Sequence, residues 1–94
     1  MAQNKKRIEF KLLAPEAEQV LLSGTFNNWS EGSDPMKKDK TGTWKKVKIL
    51  DQGTHEYKFI FDGRWVLDPD CSQTVPNRFG SLNNVLTIQT LNSK

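Results

Sequence analysis

The sequence predicts an all-β domain, an immunoglobulin-like sandwich of about seven or eight short antiparallel strands. No stretch keeps a 3.6-residue apolar period; short segments instead alternate apolar and polar residues, and turn-forming residues separate them. The 94 residues suffice for one domain with one core, so we expect a single unit over 1–94 with tails at 1–6 and 92–94. Because there is only one cysteine, the sandwich is not of the disulfide-linked antibody type.

In the first half of the chain, the segments that favour strands are 7–13, 19–23, 34–38 and 43–50. The first alternates clearly, because Ile8, Phe10 and Leu12 share one face. Segment 14–20 is too short for a stable helix and contains a proline, so we expect a turn there. The second strand is short and apolar enough to lie in the middle of a sheet, and the third is expected at an edge.

In the second half, the expected strands are 55–61, 64–67 and 84–91, with a long irregular loop over 68–81. The Asp62-Gly63 pair between the first two of these strands is a strong hairpin signal, since both residue types tolerate the positive φ of a two-residue turn. We therefore expect these two strands to be antiparallel neighbours.

The register of this hairpin places Trp65 outside the core. A two-residue turn sets Ile60 opposite Trp65, and directly opposed residues share a face of the sheet. Tyr57 and Phe59 have the other parity and supply the core face, whereas Lys58 lies on the face of Trp65. The sequence thus predicts a large aromatic ring outside the core with an ammonium group nearby.

The other two tryptophans are less constrained by their surroundings. Trp29 lies in the loop Gly-Thr-Phe-Asn-Asn-Trp-Ser at 24–30, where it either plugs the sandwich or is exposed for recognition. Trp44 lies at the start of an expected strand. Val47 and Ile49 have the opposite parity in that strand, so the pattern does not decide on which face of the sheet Trp44 lies.

Exposed tryptophans next to amide and ammonium groups suit a sugar ligand. The axial C–H face of a glucose ring is apolar and packs on an indole ring, while the hydroxyl groups need hydrogen-bond donors and acceptors. Ser81, Asn83 and Asn84 lie where the long loop re-enters a strand, and they are candidates for that polar role.

Several short motifs follow one another between about residue 19 and residue 88. They are Gly-Thr-Phe-Asn-Asn-Trp at 24–29, Tyr-Lys-Phe at 57–59, Asp-Gly-Arg-Trp at 62–65 with Asp-Pro at 68–69, and Gly-Ser-Leu-Asn-Asn at 80–84. In this order and spacing they resemble carbohydrate-binding module family 48, in particular the glycogen-binding modules of AMP-activated protein kinase β subunits. The resemblance implies an early-set immunoglobulin-like sandwich, in agreement with the strand pattern.

The resemblance also implies non-catalytic binding of α-1,4-glucan, such as glycogen or starch, that targets a partner or parent protein to the glucan. The carbohydrate-binding residues it implies are Trp29, Lys58, Trp65, Phe79, Ser81 and Asn83. In the family, the two tryptophans stack on glucose rings, and the lysine and the asparagine hydrogen-bond to hydroxyl groups. Ser81 stands where the kinase module has threonine, and Phe79 where it has a leucine that helps fill the curve of the glucan. For Trp44 the resemblance implies a packing role.

Charge and composition argue against several other functions. The net charge of +3 is modest and no aromatic RNA-binding signature is present, so solvated strand faces explain the lysine clusters better than nucleic-acid binding does. One histidine and one cysteine, His55 and Cys71, form no metal-ligand pattern, and we expect no metal or cofactor. No apolar run fits a membrane span or a signal peptide, and the lone cysteine favours the cytoplasm.

Two alternatives concern function rather than fold. Asp62, Asp68 and Asp70 raise the possibility of paired glycosidase carboxylates, but a turn explains the first and a strand end the second, so no enzymatic activity is expected. A protein-interaction domain on the same fold, scaffolding a kinase or a glucan-metabolising enzyme without binding sugar, stays open. The exposed tryptophans would then be interface anchors.

Overall fold

A computed structural model of the chain describes residues 5–89. The strands are β1 (Lys5–Leu13), β2 (Val20–Gly24), β3 (Lys37–Lys38), β4 (Thr43–Asp51), β5 (Gly53–Phe61), β6 (Arg64–Val66), β7 (Thr74–Pro76) and β8 (Leu82–Ile88), with a short 3-10 turn at Thr25–Asn27. They form two antiparallel sheets, one in the order β1-β4-β3 and one in the order β2-β5-β8-β7, with β6 paired to β5. The all-β sandwich predicted from the sequence is confirmed.

The hydrophobic core lies between the two sheets. Phe10 and Leu12 of β1 are buried on one side, as the alternation of that strand predicts, and Tyr57 and Phe59 of β5 are buried on the other. The rings of Phe10 and Tyr57 meet edge-on across the interface, with centroids 4.8 Å apart. The core side of β5 thus packs between the sheets, and its other side carries Lys58 and Ile60, which are buried outside this core cluster.

Trp44 belongs to this core. Its side chain is 8% exposed, and its indole Nε1–H donates a hydrogen bond to the carbonyl oxygen of Ala14 at 2.9 Å. The hydrogen bond satisfies the polar edge of the buried ring. The packing role implied for Trp44 is thus confirmed.

The β5–β6 hairpin has the predicted register. Asp62 and Gly63 have φ values of 48° and 86°, which fits a two-residue turn with positive φ at both positions. Ile60 lies opposite Trp65 in the ladder. Because β5 also pairs with β2 and β8, it is the strand on which the second sheet is organised.

Two expectations about strands were wrong. Strand β2 lies at the edge of its sheet, not in the middle. Its sequence is typical of a central strand because most of its residues are buried. An isolated bridge from Leu21 to Pro35 covers its outer side. The expected loop 68–81 contains β7, which pairs with β8 through Val75 and Asn83. This strand is too short to show alternation, and its proline is tolerated because β7 is an edge strand.

The chain ends differ from expectation where they are described. Strand β1 already begins at Lys5, so Lys5 and Lys6 belong to a strand and pair with the end of β4. The expected tails at 1–4 and 92–94, and the expected end of the last strand at residue 91, lie outside the described residues. Within 5–89, no helix is long and apolar enough to cross a membrane.

Candidate functional site

A groove of about 740 Å³ lies on the side of the second sheet that faces away from the core. Its lining residues are Trp29, Glu31, Glu56, Lys58, Trp65, Asn77, Arg78, Phe79, Ser81 and Asn83. All six residues expected from the sequence to bind carbohydrate therefore lie around one groove. The sequence did not single out Glu31, Glu56, Asn77 or Arg78, since nothing in their local pattern distinguishes them from surface polar residues.

Trp29 and Trp65 form the aromatic wall of the groove. Their ring centroids are 6.3 Å apart, and their planes are inclined by 52°. Trp65 is 43% exposed on the non-core face, opposite the buried Ile60, as the hairpin register predicts. The sequence allowed Trp29 either to plug the sandwich or to lie outside it. The ring is half-buried against Trp65 and is not part of the core, so the second position is the correct one.

Lys58 and Asn83 form the polar floor between these rings and the opposite rim. Both side chains are nearly buried, with exposures of 8% and 7%. The Lys58 Nζ donates to Ser81 Oγ at 3.0 Å, and no carboxylate within residues 5–89 forms a salt bridge with it. An ammonium group has three donors, so Lys58 retains hydrogen-bonding capacity for a ligand.

The opposite rim is the turn that joins β7 to β8. Asn77 Oδ1 accepts hydrogen bonds from the backbone N–H of Phe79 at 2.9 Å and of Ser81 at 3.2 Å, and Gly80 has a φ of 82°. This side-chain bridge holds the turn in one shape. Phe79 is 83% exposed at the rim, with the Arg78 guanidinium 5.6 Å from the centroid of its ring.

Comparison with known proteins identifies the family. Residues 7–94 match the family described as the glycogen recognition site of AMP-activated protein kinase. The chain belongs to this family. It is also 38% identical over 74 residues to the pig 5'-AMP-activated protein kinase subunit beta-1, and 39% identical over 74 residues to the human subunit beta-2.

Each of these two matches covers 77% of the chain but only part of the relative, 56% of the pig sequence and 25% of the human one. The chain thus spans about half of one kinase subunit and a quarter of the other. The motifs at 24–29, 57–59, 62–65 and 80–84 supply the aromatic wall, the floor and part of the rim of the groove.

The loop that presents Trp29 in this glycogen-recognition module is tightly built. Asn28 and Trp29 have φ values of 56° and 58°. This left-handed backbone conformation costs a residue with a bulky side chain, here Trp29, about 1–3 kcal/mol. The backbone N–H of Trp29 donates to the carbonyl oxygen of Gly24 at 2.8 Å. At Gly24 a Cβ atom would lie 2.4 Å from the carbonyl oxygen of Glu56, so only glycine lets the loop approach β5 this closely.

Hydrogen bonds of the Asn27 and Asp34 side chains stabilise that strained loop. Asn27 Oδ1 accepts from the Gly24 backbone N–H at 3.0 Å, and Asn27 Nδ2 donates to Asp34 Oδ2 at 2.7 Å. Lys48 Nζ donates to the other Asp34 oxygen at 3.2 Å, with Lys46 also in ion-pair range. Burial raises the pKa of Asp34, but the hydrogen bonds from Asn27 and Lys48 and the charges of both lysines outweigh it, so the pKa is lowered overall.

Replacing Asp34 with asparagine is expected to destabilise the module by about 1–3 kcal/mol at neutral pH, since charge-assisted hydrogen bonds are lost. A carboxylate with a lowered folded-state pKa stabilises the fold above its unfolded-state pKa, and that contribution disappears as the pH falls through the folded-state value. The difference in the free energy of unfolding between the native protein and Asp34→Asn should therefore become smaller in acid. Urea unfolding of both proteins at about pH 7 and about pH 3 measures it.

The exposed Glu18→Gln is the matched control for that experiment and should follow the native protein at both pH values. A stability gap for Asp34→Asn that is equally large in acid would contradict the role given to the Asp34 charge.

The remaining sequence candidates have structural roles. Asn84 is fully buried, and its Oδ1 accepts from the Asp68 backbone N–H at 2.8 Å. Asp68 is also buried and accepts from the Tyr57 hydroxyl at 2.6 Å; burial, followed by this carboxylate, raises the Tyr57 pKa. Asp62 accepts from the backbone N–H groups of residues 18 and 19, which fixes the hairpin turn. Neither these aspartates nor Asp70 lines the groove.

Proposed function

We propose that this glycogen-recognition module binds α-1,4-glucan of the glycogen or starch type by stacking glucose rings on Trp29 and Trp65. The observation that carries the proposal is the inclination of 52° between the two indole planes, with their centroids 6.3 Å apart. A curved helical glucan turns successive rings relative to each other and can follow inclined platforms, whereas a flat β-linked chain such as cellulose needs coplanar ones.

The polar residues of the groove complement these aromatic surfaces. Lys58 supplies free donors, Asn83 and Ser81 supply a donor and an acceptor each, and together they orient a glucose ring through its hydroxyl groups. Phe79, which protrudes from the rim, covers the apolar edge of the glucan. Affinity for a single short oligosaccharide should be modest, because many hydrated hydroxyl groups lose water on binding.

We further propose that binding is the whole activity of the module, and that it tethers a parent or partner protein to glucan in the cytoplasm. The support is the family, since the relatives are subunits of a kinase by name. A kinase or a glucan-metabolising enzyme is the expected cargo. No release of reducing ends from maltooligosaccharides is expected.

Co-sedimentation tests the proposal. The module should be retained on glycogen and on insoluble starch but not on cellulose, and retention should change little between low and high salt, unlike binding to a polyanion. Absence of retention on both α-glucans would refute sugar binding and favour the protein-interaction alternative. Equal retention on cellulose would refute the selectivity that follows from the inclined rings.

A further inference from the structure

Glu56 is a carboxylate on the floor of the groove. It lies on β5 two residues from Lys58, so both side chains project from the non-core face of the strand. The side chain is half-buried, and its Oε1 accepts a hydrogen bond from Asn83 Nδ2 at 3.0 Å. Within residues 5–89, Asn83 is the hydrogen-bond partner of this carboxylate through Oε1, and the second oxygen, Oε2, has no hydrogen-bond partner.

Hydrogen bonds run in one direction from the rim turn to Glu56. Asn77 Nδ2 donates to Asn83 Oδ1 at 3.0 Å, and Asn83 Nδ2 in turn donates to Glu56. An ionised carboxylate accepts but does not donate, so the Asn83 amide must turn its NH₂ group toward Glu56 and its carbonyl toward Asn77. Glu56 thereby fixes which polar atoms Asn83 presents to the groove.

We propose that Glu56 is a further glucan-binding residue: its free oxygen accepts a hydrogen bond from a glucose hydroxyl, and its bonded oxygen holds the Asn83 amide in the orientation that binds sugar. The inference rests on the proposed glucan binding and deepens it. A neutral hydroxyl is the ligand group that fits, because a carboxylate acceptor strengthens a hydrogen bond from O–H and repels an anionic substituent. The groove is thus expected to prefer unmodified glucan over phosphorylated glucan at this position.

Glu56→Gln isolates the free oxygen. The glutamine carbonyl can still accept from Asn83, but an NH₂ group replaces the second acceptor. We expect the Kd for maltoheptaose, measured by calorimetry, to rise about tenfold, the value for one charge-assisted hydrogen bond. The midpoint of urea unfolding should stay close to the native value, and the Asn83 side-chain amide signals in NMR should move only as far as the change from a charged to a neutral acceptor requires. Glu9→Gln, on the exposed face of the other sheet, is the matched control and should bind as the native protein does.

Asn77→Asp isolates the orientation of Asn83. The side chain keeps the oxygen that accepts from Phe79 and Ser81, so the turn is retained, but the donor to Asn83 is replaced by a second acceptor. The Asn83 amide then lies between two carboxylates, and its carbonyl oxygen faces one of them without a donor, because both groups only accept. We expect shifted Asn83 amide signals and a Kd at least about tenfold higher for maltoheptaose.

The outcomes separate the two proposals. If the native protein binds maltoheptaose and Glu56→Gln binds equally well, the role of Glu56 is refuted and the glucan-binding function stands. If Asn77→Asp shifts the Asn83 amide signals but leaves the affinity unchanged, the orientation of that amide does not matter for binding and the positioning role is refuted. If the native protein binds no maltoheptaose, the proposed function fails, and the inference about Glu56 fails with it.

Discussion

Trp65→Ala is expected to remove most glucan binding while the fold persists. The ring is 43% exposed and lies on the face of β5 and β6 that is turned away from the core, so truncation leaves the packing between the sheets intact. An aromatic anchor of this kind contributes about 2 kcal/mol or more, which corresponds to a rise in Kd of roughly thirtyfold or more. Calorimetry with maltoheptaose measures the change, and retention on glycogen should fall to background.

Two further variants make that experiment specific. Trp65→Phe keeps a smaller aromatic platform and should recover part of the affinity. Leu13→Ala removes another exposed apolar side chain, 68% exposed at the end of β1 in the other sheet, and should bind normally. A Trp65→Ala protein that is folded by urea titration and binds maltoheptaose within a factor of about two of the native protein would refute stacking on this ring.

Phe59→Ala is expected to have the largest effect on stability. Phe59 has no exposed surface, lies opposite Leu22 and Val66 on neighbouring strands, and packs edge-on against Tyr57 with ring centroids 5.9 Å apart. Truncation of a fully buried phenylalanine costs about 3–5 kcal/mol. That loss is a large part of the 5–15 kcal/mol by which a domain is typically stable, so the variant should be partly or wholly unfolded.

Urea unfolding followed by tryptophan fluorescence measures this effect. Phe59→Leu, which keeps most of the buried volume, is the matched control and should lower the free energy of unfolding much less than Phe59→Ala does. A Phe59→Ala protein within about 1 kcal/mol of the native one would mean that the core between the sheets is not organised around β5.

Local signals were sufficient for the β5–β6 hairpin and for Trp65. The Asp62-Gly63 pair fixes the turn type, the turn type fixes the register, and the register decides the face on which each side chain lies. Nothing beyond neighbouring residues was needed. The core face of β5 is local in the same way, since alternation is a property of a single strand.

The groove itself depends on contacts that local patterns do not contain. Trp29 could be assigned from sequence only through the family, because its place depends on Asn27, Asp34 and the close approach of Gly24 to β5. Glu56 and Asn77 are brought to the groove by pairing of β5 and β7 with β8, and β7 itself shows no alternation. Long-range pairing, rather than residue preference, therefore determines the polar half of the site.

An NMR titration with maltooligosaccharides, and with cellooligosaccharides as the control, tests glucan binding at this groove most directly. The chain has three tryptophans, and their indole N–H signals act as internal reporters. The Trp29 and Trp65 signals should shift together with Lys58 and residues 79–84, while the Trp44 signal should not move, because that N–H is buried in a hydrogen bond to Ala14. Cellooligosaccharides should leave all of them unchanged. Absence of shifts at Trp29 and Trp65 with saturating maltoheptaose, or equal shifts with the cellulose-type series, would contradict α-glucan recognition by these two rings.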